Sequence, residues 1–323
     1  MKSPVKELLC AVLATVLMLM HTDAGYAATP SACDRSCLQG VLQRYLQAVV
    51  AQDPSQAGFS PGARSTENAQ VIHPGEGTWK SASGFGDYRI EVVDTRAQAI
   101  GFFGVLKEGA ESHVYFVRLK APGGKVSEAE TLVAREIPPS FARAAAAIAV
   151  ARPGFAEAVG ARERGSRKAL IAAADSYYRG VERNRGDVVA FAKDCHRIEN
   201  GVALVNNPDA PFEFVSPSGR KLPNFGAMGC REQFDTGIWG TDAISHRRFP
   251  LVDERTGVVA AFTIYRSHAK GQCATVRGYG QVCSSGTSRF DLDLVELFKI
   301  HGGKIHEMES IWTVIPTDHG PGW

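Results

Sequence analysis

The chain repeats itself. Tyr45, Val49, Glu67 and Asn68 match Tyr177, Val181, Glu199 and Asn200 at a constant offset of 132 residues; Val93-Asp94 matches Val252-Asp253 at 159; and Gly123-Gly124-Lys125 matches Gly302-Gly303-Lys304 at 179. Beyond the last match, Val126, Glu128 and Glu130 run parallel to Ile305, Glu307 and Glu309. Chance hardly supplies an ordered set, so the chain is expected to fold as two copies of one small domain. The growing offset places 27 extra residues in copy two before Asp253 and 20 more after it. Cys230 falls in the first insertion and Cys273 with Cys283 in the second, while copy one has Ala63 where copy two has Cys195. Long loops in a compact domain are usually functional or disordered, and a disulfide argues against disorder. Copy two is therefore the expected seat of any chemistry.

The 323 residues, 44% hydrophobic and 22% charged, suffice for two buried cores. Lys2 and Lys6, the apolar run 8–20 and the small residues of Gly25-Tyr26-Ala27 read as a cleaved export signal over residues 1–27. The apolar run is short for a membrane span, and Cys10 lacks the small residues that precede a lipid-anchored cysteine. The mature chain is expected to hold a first domain over residues 28–137, a helical linker over 138–165 and a second domain over 166–323, secreted or periplasmic and away from the membrane. Six cysteines remain, Cys33, Cys37, Cys195, Cys230, Cys273 and Cys283. An even number in an exported chain favours disulfides over metal ligation. Of the fifteen pairings, proximity favours Cys33 with Cys37 and Cys273 with Cys283, leaving Cys195 for Cys230. A formal charge of +2 argues against a nucleic-acid partner. A small molecule is the expected partner; the duplication is compatible with a pseudo-dimer inside one chain, and further association is not legible.

Each copy opens with helix: Val41, Tyr45, Ala48 and Val49, and again Leu170, Ala173, Ala174, Tyr177 and Val181, recur at helical spacing. Strands follow. Gly302-Gly303 marks a tight hairpin between residues 292–300 and 304–315, echoed in copy one by 114–119 and 126–134. Helices followed by a curved antiparallel sheet ending in a long hairpin resemble the nuclear transport factor 2-like superfamily, which includes ketosteroid isomerase, scytalone dehydratase and the SnoaL-type polyketide cyclases. More narrowly, Cys195-His196-Arg197-Ile198-Glu199-Asn200-Gly201, Arg247-Arg248-Phe249-Pro250 with Val252-Asp253, and Phe298-Lys299-Ile300 resemble a secreted two-copy family common in fungi. The resemblance implies an α+β fold of two cone-shaped domains, each with N-terminal helices packed on a curved antiparallel sheet. It implies no particular reaction, because a fold hosts many functions. In the superfamily's enzymes, acids, histidines, tyrosines or arginines handle protons in an apolar pocket without metal or organic cofactor. No cofactor is therefore expected, and no site residue of ketosteroid isomerase transfers by motif.

The polar residues of copy two are weighed one by one. His196, Arg197 and Glu199 are candidate proton-transfer groups with Asn200 as a substrate contact; the competing reading makes Glu199-Asn200, repeated as Glu67-Asn68, a structural turn. Arg247 and Arg248 point to opposite faces of one strand. Arg247 is expected inside the cone beside Phe249, paired with Glu199 or Glu309, and Arg248 outside or paired with an acid, with His246 as a substrate contact. On the last strand Ile305, Glu307, Glu309 and Ile311 are expected to share a face, opposite Trp312, a further substrate contact. Glu309 is a candidate acid, although its recurrence as Glu130 favours a structural role. Glu296, between Leu294 and Phe298, is a candidate contact on an apolar face. His301 and His306 flank the hairpin and are not expected to pair across it. Gly58-Phe59-Ser60-Pro61-Gly62 and Ser218 with Lys221 match hydrolase expressions without the flanking elements those need.

The reading that unites these residues is a secreted, cofactor-independent lyase or isomerase using acid/base chemistry on a small organic or carbohydrate substrate. The alternatives are a non-catalytic small-molecule binding protein, an interaction module whose copies pair through their sheets without an open pocket, and a hydrolase. A cavity lined by His196 or Arg197, together with Arg247 and an acid, distinguishes the enzyme; an all-apolar cavity, the carrier; a filled cone, the interaction module. Non-reducing peptide mapping is expected to show Cys195 joined to Cys230 and Cys273 to Cys283, each closure contributing roughly 3 kcal/mol in the chain-entropy account. Free thiols at those four positions would overturn the export argument.

Overall fold

The computed structural model describes residues 32–137, 152–210, 224–237, 243–266, 273–278, 280–283 and 291–323. The leader, residues 138–151 of the linker, Ser218 with Lys221, and the side chains of Cys273 and Cys283 lie outside the described residues. Copy one runs through α1 (Arg35–Val50), β1 (Phe59–Glu67), β2 (Gln70–Ile72), β3 (Gly84–Asp94), β4 (Ala99–Glu108), β5 (Glu111–Lys120) and β6 (Val126–Val133). Copy two begins with α2 (Arg167–Arg183), β7 (Phe191–Glu199), β8 (Val202–Ala203) and the short α3 (Cys230–Asp235). It continues with β9 (Ala243–Asp253), β10 (Val258–Arg266), the small hairpin of β11 (Cys273–Val276) and β12 (Gly280–Cys283), then β13 (Asp291–His301) and β14 (Lys304–Ile315).

Both long helices start where a polar side chain satisfies a free backbone N–H. Asp34 accepts from Cys37 N at 2.8 Å, and Ser166 accepts from Ala169 N at 3.4 Å. Their apolar stripes, Leu38, Val41, Leu42 and Tyr45 in α1 and Leu170, Ala174, Tyr177 and Val181 in α2, are buried on one face of the sheet that follows. The two sheets have the same topology, β2-β1-β6-β5-β4-β3 and β8-β7-β14-β13-β10-β9. All pairings within them are antiparallel except β1 with β6 and β7 with β14. Those parallel pairs join strands far apart in sequence, where no hairpin imposes direction. Each copy is thus a cone-shaped α+β domain, its helix packed on one face of a six-stranded, mostly antiparallel sheet. The hairpin joining β13 to β14 turns at Gly302 and Gly303, whose φ values of 54° and 72° are the positive angles a two-residue turn requires.

The sheet faces turned away from the helices pack on each other. Tyr88, Ile90, Phe103 and Phe116 of copy one share a single core with Leu251, Phe262, Val295 and Ile311 of copy two, and Phe155 from the intervening segment joins it. Phe116 meets Phe262 edge to face, with ring centroids 5.6 Å apart. Strands β4 and β10 are therefore buried on both sides, which explains their nearly continuous apolar sequences. Gly101 lets the sheets close, since a Cβ there would lie 2.6 Å from Leu251 Cδ1.

The repeated Val-Asp pair fastens this interface reciprocally. Asp94 accepts from Val252 N at 2.8 Å and from Arg167 Nη1 at 2.6 Å. Asp253 accepts from Val93 N at 3.4 Å and from Arg35 Nη2 at 2.6 Å. Arg35 and Arg167 are themselves related by the offset of 132 and stand at the first position of α1 and α2. Each copy's helix thus reaches the other copy's strand end. Both aspartates are almost wholly buried, at 2% and 1% exposure, so removing either arginine leaves a buried charge without its cation. Arg35→Ala or Arg167→Ala is expected to lower the unfolding free energy by about 3–5 kcal/mol, measured by denaturant titration. A cost no larger than that of an exposed surface pair, under about 1 kcal/mol, would show that the clamp is not what holds the copies together.

Candidate functional site

Strand alternation divides the residues of β7 between the two faces of its sheet. Its register with β14 pairs Arg197 with Met308, which belongs to the helix-side core, and Glu199 with Ser310, whereas His196 lies opposite Glu307 and Ile198 opposite Glu309 on the face turned to copy one. Arg197 is 1% exposed. Its guanidinium donates to Gln233 Oε1 at 2.7 Å and to Tyr177 Oη at 3.4 Å, and its Nε lies 3.2 Å from Glu199 Oε1. Gln233 reaches it because α3 is tied to β7 by the Cys195–Cys230 disulfide, and because Gln233 Nε2 donates to Leu204 O and Phe225 O, both at 2.5 Å. The first insertion of copy two therefore delivers a partner to the arginine. Burial works against the charge of Arg197, but Tyr177, Glu199 and Glu296 outweigh it and raise the guanidinium pKa.

Across the same face Glu199, Ser310, Glu296 and Ala261 form one row over β7, β14, β13 and β10. Glu296 is 2% exposed. Burial pushes its pKa up to about 8; the Tyr178 hydroxyl works against the rise, Glu199 adds to it and Arg197 opposes it. Around it the Tyr265 hydroxyl and one oxygen of Glu296 itself are buried without a hydrogen-bond partner among the described residues, while the Tyr178 hydroxyl lies beside the carboxyl and Thr263 beside Tyr178. Burial, followed by the nearby Glu296, raises the pKa of both tyrosines. A neutral carboxyl beside phenolic hydroxyls can deliver a proton, or once ionised accept one, while the phenolic donors stabilise a developing oxyanion.

The other sequence candidates lie elsewhere. Asn200, at φ 44°, spends its amide on the backbone of Trp312, donating to its carbonyl and accepting from its N–H, both at 3.0 Å. Asn68 does the same to Val133 in copy one, so the repeated Glu-Asn turn holds the strand end in both copies. Trp312 packs with Val202 and Leu204. His196 faces away from the cone. Glu309 is buried in the inter-copy interface, where it accepts from Tyr88 Oη at 2.5 Å, and it too is outside the cone. Burial raises its pKa to about 8, with the Tyr88 hydrogen bond opposing. The expectation that Ile305 shares its face fails at a bulge between Ile305 and Glu307, which sends Ile305 to the helix-side core.

Arg247 does lie on the helix side, over the Tyr178 ring at 5.5 Å, but its acids are Asp175 and Glu182 of α2, not Glu199 or Glu309. Arg248 points to copy one and meets Glu130. Between them and Ser245, His246 occupies an exposed bulge at φ 54°. His301 and His306, not expected to pair, stack with ring centroids 3.5 Å apart, because the irregular register beside the turn brings them to one side. Among the described residues no three of His, Cys, Asp and Glu converge as metal ligands. Sequence reasoning passed over Tyr178, Tyr265, Thr263 and Gln233. Tyr178 sits beside a helical stripe that read as core, and only the phenol beside an apolar-faced Glu296 could have singled it out.

Residues 163–312 match the family model described as Domain of unknown function (DUF8021). That span contains Arg197, Glu199, Gln233 and Glu296. No curated protein matches the chain. Among solved structures the chain is similar to a de novo designed protein with curved beta-sheet, at 15% identity over 35% of this chain and 95% of that one, with a TM-score of 0.27. It is also similar to a protein of unknown function with cystatin-like fold from Methylobium petroleophilum PM1, at 12% identity over 33% and 82% of the respective chains, with a TM-score of 0.28.

The raised carboxyls leave a signature in stability. Glu296 and Glu309 titrate near 8 when folded and near 4.5 when unfolded, so between those values the folded state holds more protons. Their contribution is complete below about pH 4.5 and is lost as the pH rises through 8, with a slope of up to about 1.4 kcal/mol per pH unit for each. Denaturant titrations from pH 5 to 8 are expected to show stability falling, and Glu296→Gln or Glu309→Gln flattening the fall. An unchanged slope in both variants would mean that neither carboxyl is held neutral.

Proposed function

We propose that the protein is an exported, cofactor-independent lyase or isomerase, working on a small organic or carbohydrate substrate in the cone of copy two. Glu296 transfers the proton, Tyr178 and Tyr265 donate to the oxygen on which charge develops, and the Arg197–Glu199 pair fixes the polar end of the substrate. Export is supported by the Cys33–Cys37 and Cys195–Cys230 disulfides, bonds that persist in oxidising compartments.

The observation that carries the reading is the contrast between the copies at equivalent positions. The row Glu199, Ser310, Glu296, Ala261 corresponds in register to Glu67, Thr131, Val117, Phe102 in copy one. Where copy two has Tyr178, Arg197 and Tyr265, the offsets lead to Leu46, Ser65 and Leu106. Copy one places Val117 and Phe102 where copy two has Glu296 and Ala261, and Phe102, Leu106, Tyr115 and Val117 belong to its core. Copy two instead spends stability on an ionisable group that an apolar residue would replace without penalty. Such a substitution pattern fits a group retained for proton transfer.

An NMR screen of metabolite mixtures with the mature protein tests this. A substrate is expected to be converted with a rate that titrates near pH 8, and Glu296→Gln is expected to lower turnover by about 10²–10⁴-fold without unfolding the protein. Tyr178→Phe should reduce kcat more than it alters KM. Turnover of the same substrate by Glu296→Gln at the wild-type rate would sink the assignment.

A further inference from the structure

A cavity of about 410 Å³ opens outside the cone, where α1, β3, the segment preceding α2 and the turn between β9 and β10 come together. Its volume lies within the range of small-molecule sites. Four arginines stand in its wall, Arg35, Arg89, Arg152 and Arg255. We propose that this inter-copy cleft is a second ligand site, distinct from the cone, that binds a small organic anion: an apolar body carrying a carboxylate or a phosphate-type oxyanion.

The case begins with hydrogen-bond donors. A guanidinium has five N–H donors, and three of these arginines use only part of theirs in ion pairs. Arg35 holds Asp253 through Nη2, Arg89 holds Glu91 through Nε, and Arg152 holds Glu307 through Nε. Arg255 is exposed and its side chain makes no ion pair among the described residues. On the acid side, Glu91 is already taken by Arg89 and Gln39, and exposed Asp87 is the remaining carboxylate of the wall. Donors therefore outnumber acceptors, and the planar fork of arginine suits a bidentate oxyanion.

A second observation points the same way. Thr256, beside Arg255, lines the cleft and is 5% exposed, yet its hydroxyl has no hydrogen-bond partner among the described residues. A buried hydroxyl without a partner is costly, and here it stands next to Arg255, the arginine of this wall that makes no ion pair among the described residues. Phe155 and Ile90, both buried, supply the apolar part of the lining. Guanidinium donors and an aromatic ring in one wall describe an amphipathic anion rather than an inorganic ion.

Isothermal titration of the mature protein with 2-naphthoate, 1-naphthyl phosphate and the uncharged 2-naphthalenemethanol tests the proposal. At least one anion is expected to bind with Kd of about 1 mM or tighter, weakening with added salt, and the alcohol is not. Preference between carboxylate and phosphate identifies the head group. Arg255→Gln is expected to weaken the anion about tenfold and Thr256→Val about fivefold, with the melting temperature unchanged because neither side chain makes a hydrogen bond or ion pair among the described residues. Glu296→Gln should leave this binding intact, which separates the cleft from the cone. Failure of both anions to bind, equal binding of the alcohol, or wild-type affinity in both cleft variants would overturn it.

Discussion

Everything in this molecule depends on two buried carboxylates that each belong to one copy and are neutralised by the other. Asp94 and Asp253 end equivalent strands, accept the backbone N–H of the opposite copy's valine and receive the first arginine of the opposite copy's helix. Such a group is stable only when both copies are folded and in place. The apolar contact between the sheets supplies the larger share of the driving force, since hydrophobic burial scales with area, but it is non-directional. The aspartates set the register at which Phe116 faces Phe262 and Gly101 admits Leu251.

With the sheets' outer faces consumed by that contact, each copy is left with its helix-covered concavity as the interior of its own domain, and the copies use it differently. Copy one closes its own with α1 and a run of aromatic residues. Copy two carries two tyrosines, an arginine and a glutamate into the same volume, then adds α3, pinned by a disulfide, to furnish the arginine with an amide acceptor. The polar set is thus assembled from helix, sheet and insertion at once. No single segment of sequence contains it.

That dispersion explains what could be read in advance. The duplication, the hairpin at Gly302-Gly303, the two described disulfides and the helix-then-sheet order follow from spacing and turn chemistry, which are local. Which face a strand residue occupies is not local where a bulge intervenes. Alternation placed Arg247 and Arg248 on opposite faces, but the bulge at His246 and the irregularity before Glu307 reset the phase on β9 and β14, and the acids near Arg247 came from α2 instead of the sheet. Asn200 was legible as structural through its repeat, Asn68, whereas Glu296 could not be weighed without knowing that Tyr178 and Tyr265 converge on it. A tyrosine at helical spacing looks like core until the other side of the core is seen to be charged.

The interface also shows what joining two copies in one chain makes possible. Glu130 and Glu309 occupy equivalent positions, yet Glu130 meets a guanidinium and Glu309 a phenol. A symmetric homodimer is obliged to write the same residue on both sides of its axis, so every change is made twice and must suit both places. Once the copies share a chain, each side of the axis mutates alone. The contact can then hold an ion pair on one side and a carboxyl kept neutral by burial on the other, and one copy can keep Val117 at the position where its twin acquires the buried Glu296.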